Sequence, residues 1–277
     1  MIEILKSIIF GIVQGITEWL PISSTGHMIL LDEFLTLNFS KTFLDTFLVV
    51  IQLGSILAVV VLYFQRLWPF GSQKSPREKR ETWSLWFRIL VGVIPLGITG
   101  ILFEEQINTY LYNSRVVALA LIIYGILFLI LERGRRRPTI TTMDELGYRT
   151  ALLIGMFQVL ALVPGTSRSG ATILGAVFLG CSRTVASEFS FFLALPAMAG
   201  ASLLKLVKTG LSFGFLEWMV LLTGSLVAFL VSLVAIKFLL SYIRRHDFKA
   251  FGYYRIVLGI IVLLYFQLTG NVLNQGF

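Results

Sequence analysis

Four side chains in this 277-residue chain have the character of reagents: Glu18, Ser24, His27 and Arg168. A hydroxyl can attack phosphorus, and an imidazole moves protons near neutral pH. A carboxylate takes a proton or ligates a cation, and a guanidinium grips phosphate oxygens bidentately. Together they form a kit for phosphoryl transfer. They lie in two matched stretches. Gly11-Ile12-Val13-Gln14 leads through Glu18 to Pro21-Ile22-Ser23-Ser24-Thr25-Gly26-His27, and Gly155-Met156-Phe157-Gln158 leads to Pro164-Gly165-Thr166-Ser167-Arg168-Ser169-Gly170. Each is an apolar half-helix, a proline, and a Ser/Thr/Gly knot that opens a second short apolar run. Counted from the prolines, Ser24 matches Ser167, an offset of 143 residues (167 − 24) and about half the chain.

The elements that must hold these groups are membrane elements. Hydrophobic residues make up 56% of the chain and charged ones 14%, and mean hydropathy is +0.84. A soluble domain carries about 25% charge, so the class is an all-α polytopic membrane protein. The start does not read as a cleaved signal peptide, since Glu3 accompanies Lys6 and no A-x-A site follows. Cys181, the one cysteine, reads as a small apolar residue at a helix end. The net charge of +8 calls for no nucleic-acid partner, because the basic residues gather in loops between apolar runs.

Six runs are expected to span: roughly 42–64, 83–103, 115–131, 184–204, 216–240 and 253–268. The third is short against the ~20 residues a span needs. Basic clusters fall at Arg66, Lys74, Arg77, Lys79 and Arg80, at Arg133, Arg135, Arg136 and Arg137, and at Arg244, Arg245 and Lys249. Six spans put all three on one side, which the positive-inside rule makes cytoplasmic. Lys205 and Lys208 run against the rule. Most of 69–81 reads as a solvated loop, and 104–108 as a loop on the opposite side.

The knot-bearing arms, 8–20 with 28–37 and 151–163 with 171–179, are too short to cross a ~30 Å core at about 1.5 Å per residue. Each pair reads as a re-entrant hairpin, with one long kinked span as the alternative. The loop charges make the first hairpin enter from outside and the second from the cytoplasm. The chain then reads as one membrane domain built of repeat one (1–137) and inverted repeat two (138–277), an architecture whose sites lie near the midplane.

Two hairpin tips that meet would aim two helix N-termini into one cavity, a place for an anion rich in oxygens. Gln14 and Glu18, four apart, share a helix face. An intramembrane carboxylate usually marks function. Each hydroxyl alone is explained as a helix cap, His27 alone as a structural hydrogen-bonder, and Arg168 alone as a plug paired with Glu18. Elsewhere, Asp32, Glu33 and Asp45 are expected near the outer interface. Glu188 is expected to pair with Arg183 or cap its helix, and Asp144-Glu145 to start a solvated helix.

The stretch from Gln14 to His27, with its Glu/Gln-x3-Glu and P-x-S-S-T-G-H pattern, and Pro164-Gly165-Thr166-Ser167-Arg168-Ser169-Gly170-Ala171-Thr172 closely resemble the undecaprenyl-diphosphate phosphatases of the bacitracin-resistance type. Ile51-Gln52-Leu53-Gly54 and Glu188-Phe189-Ser190-Phe191 extend that resemblance over essentially the whole chain. Gln14 stands where the pattern also allows glutamate, leaving one carboxylate at this motif rather than two.

The resemblance implies a bacterial inner-membrane enzyme that removes the terminal phosphate of a C55 polyprenyl diphosphate. Its product is the lipid carrier for cell-wall synthesis, and a divalent cation, Mg²⁺ or Ca²⁺, is implied with Glu18 as ligand. Glu18, Ser24, His27 and Arg168 carry over as catalytic residues. Gln14, Ser23, Thr25, Gly26, Thr166, Ser167, Ser169 and Gly170 are expected to bind the substrate, at a site opening to the outer side. In the expected mechanism Ser24 attacks phosphorus with His27 as acid/base partner; activated water is the variant. A polyprenyl-phosphate flippase or transporter using the same inverted-repeat site is the alternative function. A homodimer is compatible with the sequence.

Overall fold

The computed structural model describes residues 1–134, 137–210 and 212–269, apart from the side chains at 104 and 108. Arg135 and Arg136 of the second basic cluster lie outside the described residues. The chain is helical: α1 (Ile2–Thr17), α2 (Ser24–Phe34), α3 (Lys41–Leu62), α4 (Phe64–Leu67), α5 (Pro76–Leu111), α6 (Ser114–Arg133), α7 (Tyr148–Val159), α8 (Arg168–Phe178), α9 (Arg183–Thr209), α10 (Phe215–Ile243) and α11 (Lys249–Thr269). A 3₁₀ turn, Leu160–Leu162, follows α7. Among the described residues there is no strand ladder, only an isolated bridge between Ile140 and Cys181.

Among the described residues six helices are long and apolar enough to cross a membrane: α3, α5, α6, α9, α10 and α11. The third is not short after all. Asn113 accepts the N–H of Val116 at 3.0 Å and starts α6 a residue early, and the helix runs 20 residues to Arg133. Leu57, Ile101, Val207, Leu222 and Leu268 are more than half exposed, the mark of an outer surface facing hydrocarbon. Phe189, Phe191 and Phe192 are fully buried inside.

Several local readings are corrected. Segment 76–81 is not loop, and neither is 104–108; both belong to the 36-residue α5. Ser75 and Glu78 form a capping box that starts this helix, with Pro76 at its first turn. Arg77 and Glu81 then pair across one turn at 2.8 Å. Asp144 and Glu145 sit in a turn ahead of α7, not in a helix. The backbone N–H groups of Thr141 and Thr142 bond Glu145 and hold its carboxyl below the usual range. Glu188 pairs with Arg66 at 2.8 Å, while Arg183 pairs with Glu132; Ser182 caps α9. Lys205, which defies the charge rule, lies 3.4 Å from Asp45.

Helix pairing repeats across the two halves. α1 packs on α10 as α7 packs on α5, and α3 meets α10 as α9 meets α5. α3 packs on α9 and α6 on α11. The close approaches repeat too. A Cβ on Gly11 would lie 2.6 Å from the carbonyl oxygen of Gly224, and one on Gly155 would lie 2.1 Å from that of Gly92. Only glycine lets these backbones approach so closely. They seat α1 against α10 and α7 against α5, with the C-terminal ends of both arms at the knots.

Candidate active site

The turns after α1 and α7 meet. Ser23 caps α2 by accepting the N–H of Gly26 at 3.3 Å, and Ser167 caps α8 by accepting that of Gly170 at 3.2 Å. Both serines have positive φ, 74° and 72°. This shared geometry corrects the register. The equivalent serines are Ser23 and Ser167, 144 residues apart (167 − 23), as are Gly11 and Gly155 (155 − 11). The prolines mislead by one position, because the cap and its backbone turn define the knot and the proline only precedes them. Ser24 is therefore the counterpart of Arg168. The first residue of each outer helix is a hydroxyl in one half and a guanidinium in the other.

Glu18 is the hub. It lies just past the end of α1, 4% exposed. Its Oε2 accepts from Gln14 Nε2 at 3.0 Å and from Ser24 Oγ at 3.2 Å, and its Oε1 accepts from Arg168 Nη2 at 3.2 Å. The Arg168–Glu18 pair that the sequence offered as a structural alternative is thus formed. Ser24 joins it, which a plug does not require. In the second half the hub is absent: Leu162 stands at the position of Glu18, and buried Gln158 finds no partner for either amide atom.

Arg168 is held from three directions. Its Nη1 donates to the Ser190 carbonyl at 2.7 Å, its Nη2 to Glu18, and its guanidinium lies 5.8 Å from the Trp19 ring centre. Its Nε–H is buried without an acceptor, an orphan donor that an oxyanion would satisfy. Thr172 and Ser190 bond at 2.7 Å beneath it. Ser169 latches the tips together, reaching the carbonyls of Glu18 (3.0 Å) and Leu20 (3.2 Å). Thr25 and Gly26 lie in the first turn of α2, and Thr166 and Gly170 flank Ser167 and Ser169.

His27 is held between its own hairpin and α11. Its Nδ1 contacts the Ser23 carbonyl at 2.7 Å, and its Nε2 contacts the Tyr254 hydroxyl at 2.6 Å. Ser24 bonds Glu18 at 3.2 Å, which puts the carboxylate within proton-transfer reach of the serine, while both ring nitrogens of His27 are engaged elsewhere.

Two residues of α11 were missed. Arg255 is fully buried and donates to the carbonyls of Pro21 (3.1 Å), Gly165 (2.9 Å) and Thr166 (2.8 Å), fastening both turns. It lies 5.4 Å from the Tyr124 ring centre. A Cβ on Gly170 would lie 2.9 Å from its Nη1, which accounts for glycine there. Its signal was available: an arginine inside the 253–268 apolar run marks function or structure. Tyr254 had no such signal, since tyrosine is common near membrane interfaces.

Among the described residues no three His, Cys, Asp or Glu side chains converge as a metal cage. What the site offers is one carboxylate, one alkoxide precursor, two helix N-termini and an arginine, with hydroxyls around them. That set suits attack on a phosphoryl group, its negative charge held by N–H and guanidinium donors.

Comparison with known proteins agrees. The family model described as bacitracin resistance protein BacA matches residues 7–261. An undecaprenyl-diphosphatase 1 of Clostridioides difficile (strain 630) is 61% identical over 268 residues, covering 97% of this chain and 98% of its own. An undecaprenyl-diphosphatase of Acetivibrio thermocellus is 58% identical over 268 residues (96% and 98%), and one of Enterococcus faecalis 55% over 267 (95% and 97%). Matched from the first hairpin to the last span, the chain belongs to the bacitracin resistance protein BacA family.

Proposed function

We propose that this chain is an integral membrane phosphatase that hydrolyses undecaprenyl diphosphate to undecaprenyl phosphate and inorganic phosphate, and so confers bacitracin resistance. The observation that carries the mechanism is the contact of Ser24 Oγ with Glu18 at 3.2 Å while Glu18 also holds Arg168 of the other half. The names of the full-length relatives support the substrate.

The diphosphate seats at the N-termini of α2 and α8, where the first N–H groups of each helix precede any intrahelical acceptor. Its charge draws Arg168 away from Glu18 and uses the orphan Nε–H. Glu18, then without its counter-charge, takes the proton of Ser24. The serine oxygen bonds the terminal phosphorus as the bridging P–O bond breaks, and that electron pair leaves with undecaprenyl phosphate. Water attacks the phosphoserine in a second step, giving its proton to His27. The serine oxygen recovers its own proton from Glu18, phosphate departs, and His27 returns the water proton to solvent.

A divalent cation fits this site in one way only. Glu18 is the single carboxylate, so an all-protein Ca²⁺ cage is not built here. Mg²⁺ is commonly held by one or two carboxylates together with substrate phosphates. The substrate phosphates would be its main ligands, with Glu18 a ligand only while unprotonated, and it would supply charge neutralisation for the diphosphate.

The two-repeat reading, 1–137 and 138–277 with opposite insertion, rests on the duplicated helix pairing and the 144-residue register. With the basic loops inside, the site opens to the outer face of the plasma membrane. The test is phosphate release from undecaprenyl diphosphate by the purified protein in detergent. Wild type should release phosphate, and Ser24→Ala should fall by at least about 10³-fold. Head-group translocation by Ser24→Ala without hydrolysis would favour transport instead.

A further inference from the structure

We propose that Tyr254 is a positioning residue for His27, fixing the imidazole in the form with the proton on Nδ1 and the lone pair on Nε2. The inference starts from hydrogen-bond chemistry. A backbone carbonyl only accepts, so the Nδ1 that lies 2.7 Å from the Ser23 oxygen must carry hydrogen. In a neutral ring Nε2 is then an acceptor, and the group 2.6 Å from it is the Tyr254 hydroxyl, which donates. The two rings lie parallel, 3° apart with centres 5.6 Å from each other. Tyr254 thus fixes both the plane of the imidazole and the occupant of its free nitrogen.

The chain makes this coupling through α11. Arg255, the next residue, is anchored to the turns of both hairpins through Pro21, Gly165 and Thr166. Wherever those turns go, the backbone beside Tyr254 goes with them. His27 is one turn into α2, and the carbonyl it bonds belongs to Ser23, the positive-φ cap of the same helix. The ring is therefore held at Nδ1 by its own hairpin and at Nε2 by a residue 227 positions away. Tyr254 is 46% exposed, so it is not filling the core; its polar end is turned to the histidine. In the proposed reaction Nε2 is the nitrogen that receives a proton from water. The tyrosine keeps it oriented and passes that contact to the incoming water.

The role in turnover rests on the phosphatase reading, whereas the ring geometry does not, and the two are tested separately. The chain has two histidines. His246→Asn in the loop before α11 leaves His27 alone for ¹⁵N NMR of imidazole-labelled protein in detergent micelles. Wild-type His27 is expected to show a protonated Nδ1 and a hydrogen-bonded, unprotonated Nε2. Tyr254→Phe, which keeps the stacked ring and removes the hydroxyl, should shift Nε2 to the value of a free lone pair with thermal stability unchanged. In phosphate release the same variant should lose on the order of 10-fold in kcat with KM within about twofold, a small part of what acid–base catalysis supplies.

A wild-type ring protonated on Nε2, or an Nε2 resonance unmoved by Tyr254→Phe, would overturn the positioning geometry. A shifted resonance with unchanged kcat would overturn its part in turnover. No phosphate release from wild type would strike the phosphatase reading and leave the NMR result standing.

Discussion

Ser23 and Ser167 are the same residue twice. They are the two non-glycine residues with positive φ among those described, at 74° and 72°, and each accepts the N–H of a glycine three residues on. Such backbone costs of order 1–3 kcal/mol per site and persists where the surroundings enforce it. Here the enforcement is mutual, through Arg255 and Ser169, and its product is the meeting of the two helix N-termini. Glycine tolerates positive φ and costs a cap only a few tenths of a kcal/mol, whereas alanine loses the cap and keeps the strain. Ser167→Gly should therefore unfold within a few degrees of wild type, and Ser167→Ala should lose about 1–2 kcal/mol. Thermal unfolding in detergent decides this, and equal effects of glycine and alanine would refute it.

The Glu18–Arg168 pair is buried, with side chains 4% and 10% exposed. Removing one partner of such a pair leaves an uncompensated charge and costs about 3–5 kcal/mol. Arg168→Met should destabilise by about that amount, and adding Glu18→Gln should recover part of the loss. Both of these variants, and Glu18→Gln alone, should be inactive. A double variant whose destabilisation equals the sum of the singles would show that the pair is not coupled.

The spans were legible because length and hydropathy set them, and helix caps moved their ends by a few residues. The long α5 was not, since Pro76 and a run of charges look like loop until Ser75 and Glu78 are seen to cap a helix. Glu18, Ser24 and Arg168 were legible by type, because polar groups are few in so apolar a chain. Their register was not, since prolines are conspicuous and a serine's φ is invisible in sequence. Tyr254 and Arg255 escaped because their partners lie more than 80 residues away, and no local pattern reports a contact at that distance.

Arg255 should be intolerant even of lysine. Its two terminal nitrogens reach three carbonyls from two turns, a fork that a single ammonium does not reproduce. A misplacement of about 1 Å at reacting groups can cost about 10²-fold in rate. Arg255→Lys is expected to lose about that much in kcat for phosphate release while remaining folded in detergent. Activity within twofold of wild type would show that the hairpin turns hold together without it.

The glycines at the helix crossings should separate into two kinds. Gly155 packs with its missing Cβ 2.1 Å from the Gly92 carbonyl oxygen, whereas a Cβ on Gly97 would meet nothing within 4 Å. Both sit in helices, where alanine is intrinsically better than glycine by roughly 0.5–1 kcal/mol. At Gly97 that preference is unopposed, so Gly97→Ala should be neutral or slightly stabilising. At Gly155 the new methyl must push α7 from α5, an overpacking cost of about 1–3 kcal/mol that exceeds the propensity gain. The displaced α7 carries the second turn with it, so Arg168 shifts against Glu18 and phosphate release should fall as well. Thermal unfolding and activity measured side by side test the contrast. If Gly155→Ala and Gly97→Ala behave alike in both, the close crossing of α5 and α7 does not position the site.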